Sequence, residues 1–239
     1  MTDTTGADAQ PKEYRQHRFR RPPGACELLL VRHGESAPTR DDVHHPVVDG
    51  HSDPPLDPVG VAQAERVAER LVASGEQIAA IYVTTLQRTV QTAAPLASRL
   101  GMGVRVEPEM REVYLGEWEA TFRKHMADGH PIGERVMAEG RWDVIPGAEP
   151  GEAFAARVRG AVTRLAAAHL DETIVVVTHG GVIGQVLALA SGSKPFVFVG
   201  ADNASISHLV VHGDRWILRR YNDTAHLGTA YTTEPEPLA

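Results

Sequence analysis

Residues 26–36 read CELLLVRHGES, and residues 173–181 read TIVVVTHGG. Each segment carries a short apolar, branched run straight into a histidine followed by glycine. Runs this apolar suit strands buried on both faces, the mark of a parallel sheet covered by helices. If both are strands of one such sheet, His33 and His179 sit at the same edge of it. Ligands bind there, beyond the carboxyl ends of the strands.

The segments between and around these two runs alternate in kind. DPVGVAQAERVAERLVASG (57–75) has a proline near its start, apolar residues at Val61, Ala64, Val67, Ala68 and Leu71, and Gly75 beyond its end, which predicts an amphipathic helix. IAAIYV predicts a second strand, and LQRTVQTAAPLASRLG a helix ending at Gly101 with a kink at Pro95. VRVEP reads as a third strand, and EAFAARVRGAVTRLAAAHL and HGGVIGQVLALA as helices. ASISHLVVH and RWILRRYN, joined by Gly-Asp, predict an antiparallel hairpin. Residues 120–146 mix Gly, Pro and His among short helical pieces. The expected fold is α/β: a three-layer sandwich with a mainly parallel central sheet, helices on both faces and an antiparallel edge. Residues 1–24 read as a flexible arm, 25–228 as a single domain with a cap-like insertion at 120–150, and 229–239 as a tail broken by Pro235 and Pro237.

The bulk composition narrows the partners. A net charge of −7 over 239 residues argues against a general nucleic-acid or membrane-surface binder, although a local arginine cluster can still hold an anion. Cys26 is the only cysteine, so no intramolecular disulfide forms and a reducing compartment is expected. No apolar run approaches the roughly 18 residues that span a membrane. The first residues lack the apolar centre of a secretory signal, which makes the cytoplasm the expected location.

Three polar clusters converge on the proposed sheet edge. The two histidines are the first. The second is cationic: Arg32 adjoins His33, and Arg88 opens the helix that follows IAAIYV. The HGG turn adds a helix start at which Gly180 and Gly181 allow close backbone approach to an anion. Two arginines, two imidazoles and a glycine-rich helix start describe a pocket for a tetrahedral dianion. The third is acidic: EMREVYLGEWEA holds Glu109, Glu112, Glu117 and Glu119, and an anionic leaving oxygen needs a nearby proton donor. Periodicity does not choose among the four.

With these residues assembled, the chain resembles the histidine phosphatase superfamily, which includes cofactor-dependent phosphoglycerate mutases and many small-molecule phosphatases. VRHGES matches its Arg-His-Gly signature; DPPLDPVGVAQAE, TTLQRTVQTA, REVYLGEWEA, VVTHGGV and YNDTAHL are similar to further segments in the same order, from about residue 26 to 228. The resemblance implies that His33 is a nucleophile forming a phosphohistidine, that Glu112 is the proton donor, and that Arg32, Arg88 and His179 hold the phosphoryl group, beside the anion-binding helix start already read at Gly180. It implies no metal and no cofactor; His44, His45 and His51 lack convincing ligand spacing. Thr39 stands near the place of a common family asparagine, Thr84 replaces a usual serine, and Ala120 a usual glycine.

The expected substrate is a small phosphorylated metabolite. Only about 30 residues separate Glu119 from the helix near Gly151, the shorter cap of a phosphatase, so hydrolysis is the main reading. Phosphoglycerate mutase activity is the alternative, and a binding or regulatory member of weak catalysis a third. Residues 37–52 and 120–146 are expected to roof the pocket. Arg111, Arg123, Lys124, His125 and His130 either read a second anionic group or, for most of them, stay solvated. An exposed apolar edge strand would allow a homodimer.

Overall fold

The apolar run at 26–32 forms strand β1 (Cys26–Arg32) in the computed structural model, which describes residues 12–40 and 42–228. Six strands make the main sheet in the order β5-β4-β6-β1-β7-β8. They are β4 (Ile78–Val83), β5 (Val104–Val106), β6 (Thr173–Thr178), β7 (Ile206–His212) and β8 (Arg215–Asp223) besides β1. β1, β4, β5 and β6 run parallel, and β7 and β8 add the antiparallel edge.

Side chains on a strand alternate between faces, and here the alternation assigns them to two helical layers. Leu28, Leu30, Ile174 and Val176 pack against Phe154, Val158 and Val162 of helix α5 (Gly151–Ala168) and Ile183 and Leu187 of α6 (Gly180–Ser191). Leu29, Val31, Val175 and Val177 pack against Val67 and Leu71 of α1 (Pro58–Ala73) and Ala93 and Leu96 of α2 (Gln87–Leu100). The expected three-layer α/β sandwich with an antiparallel edge is the observed fold.

Helix boundaries follow their chemistry. Asp57 caps α1, its side chain accepting from Val59 N at 2.9 Å, with Pro58 in the first turn. Gly101, at φ 63°, ends α2 in the left-handed conformation that glycine adopts without strain. α2 runs unbroken through Pro95. Between Glu119 and α5 lie α3 (Phe122–Ala127) and α4 (Pro131–Glu139), gathered around a separate apolar cluster of Trp118, Val136 and Ile145.

Two features were not legible in the sequence pattern. Val47–Val48 (β2) and His51–Ser52 (β3) form a two-residue ladder, too short to leave a periodic signal. The basic end of the N-terminal arm is also anchored: Gly24 N donates to Asp171 Oδ1 at 2.7 Å, Arg21 donates to the Asp171 carbonyl, and Arg219 stacks on Phe19. Residues 1–11 of the expected arm and the expected tail at 229–239 lie outside the described residues.

Candidate active site

Parallel pairing of β1 with β6 runs in register from Glu27–Thr173 to Arg32–Thr178, so the two strands end level. His33 N donates to Thr178 O at 2.9 Å, extending the ladder by one step. His33 and His179 therefore emerge side by side, with ring centroids 5.2 Å apart and an edge-on interplanar angle of 62°.

The backbone around His33 is held from several sides. Its carbonyl accepts from Asn203 Nδ2 at 3.0 Å and Ala204 N at 3.2 Å, and Gly34 N donates to Thr92 Oγ1 at 3.0 Å. Glycine is required at 34 and at 60 by close approach: a Cβ on Gly34 would lie 2.5 Å from Gly60 O, and one on Gly60 would lie 2.0 Å from Glu35 O.

His33 Nδ1 sits 2.7 Å from Gly34 O, an acceptor, so Nδ1 carries the proton and Nε2 keeps its lone pair. Burial pushes the His33 pKa well below its ordinary 6.5, and the Arg88 and Arg32 guanidiniums push it further. His179 is fully buried and is lowered in the same direction, first by burial and then by Arg88. Its Nε2 lies 3.1 Å from Thr84 Oγ1, while its Nδ1 has no hydrogen-bond partner among the described residues.

The groups that face an anion come from three elements. Arg32 ends β1; its Nη1 donates to the Ala201 carbonyl, and its Nε makes no hydrogen bond among the described residues. Arg88 lies in the first turn of α2 and is 8% exposed. Its Nη1 donates to Ser52 O at 3.1 Å and stands 3.6 Å from Asp53 Oδ1. Asp53 in turn accepts from Gln87 N at 2.9 Å, which ties the guanidinium's counter-charge to the start of the same helix. The start of α6 supplies the glycine pair, with the Gly180 Cβ position 3.4 Å from Arg32 Nε.

Of the four glutamates, Glu112 reaches the histidine-bearing turn. Its Oε1 accepts from Val113 N at 2.9 Å and its Oε2 from Gly181 N at 3.1 Å. Glu119 also borders the cavity and, like Glu112, has both oxygens on backbone amides, but these belong to Ser52 and Leu115 rather than to the turn that carries His179. Glu109 contributes its carbonyl to another contact.

Arg32, His33, Arg88, Glu112 and Gly180 line one cavity of about 550 Å³. His179 lies against the His33 ring without lining it. A neutral imidazole with a free Nε2, two guanidiniums and a helix N-terminus make this floor complementary to a tetrahedral anion. The volume is several times what a phosphate needs, and the roof comes from both expected stretches: Thr39 from one, and Phe122, Arg123, Lys124 and Trp142 from the other. The remaining basic residues of that group point elsewhere. Arg111 pairs with Asp49 at 2.5 Å, His125 stacks on Trp118, and His130 caps α4.

Asn203, Asp53 and the Thr84–His179 contact were not anticipated as site features. Asn203 and Asp53 act on backbone atoms across the fold, which leaves no local sequence signature. Among the described residues no group of three or more His, Cys, Asp or Glu side chains is arranged to hold a metal ion.

Comparison with known proteins places the chain in a family. The chain is 31% identical over 205 residues to phosphoglycerate mutase-like protein 4 of Arabidopsis thaliana, covering 84% of this chain and 87% of that one. It is 30% identical over 209 residues to the metal-independent phosphoserine phosphatase of the same plant, covering 85% and 84%. The fold superposes on mycobacterial glucosyl-3-phosphoglycerate phosphatase with a TM-score of 0.69 at 29% identity, over 84% of this chain and all of that one. The family model of the histidine phosphatase superfamily (branch 1) matches residues 28–224, and the chain belongs to that superfamily.

Proposed function

We propose that the protein hydrolyses phosphomonoesters of small metabolites through a phosphohistidine on His33. The observation that carries this reading is a neutral imidazole, its Nδ1 pinned on Gly34 O, in one cavity with Arg32, Arg88 and Glu112. Phosphoryl transfer needs little beyond positioning and charge neutralisation. Arg32 and Arg88 grip the equatorial oxygens in the fork geometry that guanidinium provides. His33 Nε2 attacks phosphorus, the bond to the leaving oxygen breaks, and Glu112 gives that oxygen a proton. The resulting Glu112 carboxylate then takes a proton from water, which attacks the phosphohistidine and releases phosphate.

His179 has a separate part. With Nε2 accepting from Thr84, its Nδ1–H is a buried donor lacking a partner among the described residues, and such groups are rare unless a ligand completes them. A phosphoryl oxygen is that partner in this reading. The phosphoserine and glucosyl-3-phosphoglycerate phosphatase names among the relatives support an ester of a small hydroxylated metabolite. We place the enzyme in the cytoplasm; no helix among the described residues is long and apolar enough to cross a membrane. A homodimer across the exposed edge strand β5, with Val104 and Val106 outward, is the assembly we expect, and sedimentation tests it.

The phosphoglycerate mutase-like relative keeps phosphoryl isomerisation as a second reading. Phosphate release from a metabolite panel, with 3-phosphoglycerate included, separates the two. Hydrolysis predicts free phosphate and an acid-labile phosphoenzyme that His33→Ala abolishes. Fast isomerisation of 3-phosphoglycerate without phosphate release would replace hydrolysis by the mutase reading. Equal activity in the wild type and His33→Ala would remove His33 as nucleophile.

A further inference from the structure

Glu112 stands on a segment that no regular structure supports. Residues 111–115 lie between the 3₁₀ turns Pro108–Met110 and Gly116–Trp118 and pair with no strand. Carbonyl groups in such a segment need donors from elsewhere. Arg157, in the second turn of α5, supplies two of them and reaches back to a third carbonyl in the preceding turn. Its Nη1 donates to Glu109 O at 2.7 Å and Arg111 O at 2.8 Å, and its Nη2 to Glu112 O at 2.9 Å.

The guanidinium is itself held. Its Nε and Nη2 donate to Glu149 Oε1 and Oε2 at 2.7 and 2.8 Å, and both side chains are largely buried. Thr178 Oγ1 donates to the one carbonyl that Arg157 skips, Met110 O, at 2.7 Å. His51 Nε2 adds a second contact to Glu112 O at 3.1 Å. Four successive carbonyls, 109 to 112, thus end on side chains, three of them on one planar fork. Lysine cannot span three carbonyls and a carboxylate from a single ammonium.

We propose that Arg157 is a positioning residue for proton transfer: by fixing the backbone from 109 to 112 it aims the Glu112 carboxyl at the leaving oxygen. This rests on Glu112 being the proton donor. In the step concerned, the P–N bond to His33 forms, the P–O bond to the leaving group breaks, and the Glu112 proton passes to the departing oxygen. Arg157 touches neither substrate nor reacting atoms.

The test uses the dependence of general-acid catalysis on the leaving group. An alkoxide leaves only with a proton, whereas p-nitrophenolate leaves well without one. The readout is the ratio of kcat/KM for glycerol phosphate to kcat/KM for p-nitrophenyl phosphate, which reports formation of the phosphoenzyme. Glu112→Gln is expected to lower this ratio by about tenfold or more, and Arg157→Met to lower it in the same direction by at least about fivefold. A general loss of folded enzyme scales both substrates equally and leaves the ratio unmoved. If Glu112→Gln lowers the ratio and Arg157→Met does not, the role given to Arg157 is wrong and that of Glu112 stands. If Glu112→Gln leaves the ratio unchanged, the proton-donor reading fails and takes this proposal with it. Should Arg157→Met not fold by circular dichroism, Arg157→Lys and Glu149→Gln carry the same comparison, and an unchanged ratio in both overturns the proposal.

Discussion

Gly181 and Glu112 meet at two points: Gly181 N donates to Glu112 Oε2 at 3.1 Å, and a Cβ on Gly181 would lie 2.5 Å from Glu112 Oε1. An amide in the first turn of α6 thus orients the carboxyl, and only a residue without a side chain lets it come so close. Gly180, one step earlier, leaves an ordinary 3.4 Å to Arg32.

Gly181→Ala should therefore displace the carboxyl and lower kcat/KM for an alkyl phosphate by about tenfold or more, with Gly180→Ala clearly milder. Phosphate-release kinetics on both variants, beside melting curves that verify folding, check the order. Equal losses in the two would show that the steric contact with Glu112 does not matter.

Arg88→Lys should weaken anion binding more than a charge-conserving change suggests. The guanidinium reaches both Ser52 O and the Asp53 carboxylate while facing the cavity, and a lysine ammonium cannot divide itself that way. The expected outcome is a loss of about tenfold or more in inorganic phosphate affinity by calorimetry and of about a hundredfold in kcat/KM.

Folding stability should fall on acidification through the histidine range. Above pH 6.5 both folded and unfolded chains hold His33 and His179 neutral. As the pH drops below that value the unfolded chain takes up protons that the folded site refuses, because burial and the arginines lower both folded pKa values. Each histidine then removes roughly 1.4 kcal/mol per pH unit until its folded pKa is reached. Urea titrations from about pH 8 down to about pH 5 measure this slope, and His179→Asn should flatten it.

Cys26 should be chemically silent in the native protein. It is fully buried at the start of β1, and burial pushes its thiol pKa up to about 12, leaving almost no thiolate near neutral pH. Ellman's reagent should find no reactive thiol in native protein and one per chain in guanidinium. Rapid native labelling would mean that this end of the sheet opens readily.

The two strands ending in His-Gly were readable because a fully buried parallel strand leaves a continuous apolar run, and the histidine after it marks the exit. Arg88 was readable for a related reason, since a strand followed at once by a helix returns that helix start to the same edge. The choice of Glu112 over its three acidic neighbours was not available from periodicity. It depends on where an irregular segment crosses the α6 turn, a distance of 69 positions along the chain. Asn203, Asp53 and Arg157 were equally hidden, because each acts on carbonyls or amides of remote segments, and any residue type can lie at the other end of such a bond. The roof illustrates the same limit: Arg123 and Lys124 line the cavity while Arg111 and His125 turn away, and nothing in their local spacing tells them apart.

The Gly34–Gly60 contact has a mechanical consequence. With the main chains of α1 and the loop after β1 in direct touch, and Asn203 and Ala204 donating to the His33 carbonyl, the backbone that carries the His33 ring is pinned by several segments at once. Accommodation of different esters falls to the other wall of the cavity, where Arg123 lines the space and Phe122 and Trp142 rest on their own small cluster. Reactivity and selectivity thereby occupy separate stretches of the chain, and either can change through substitution while the other stays intact.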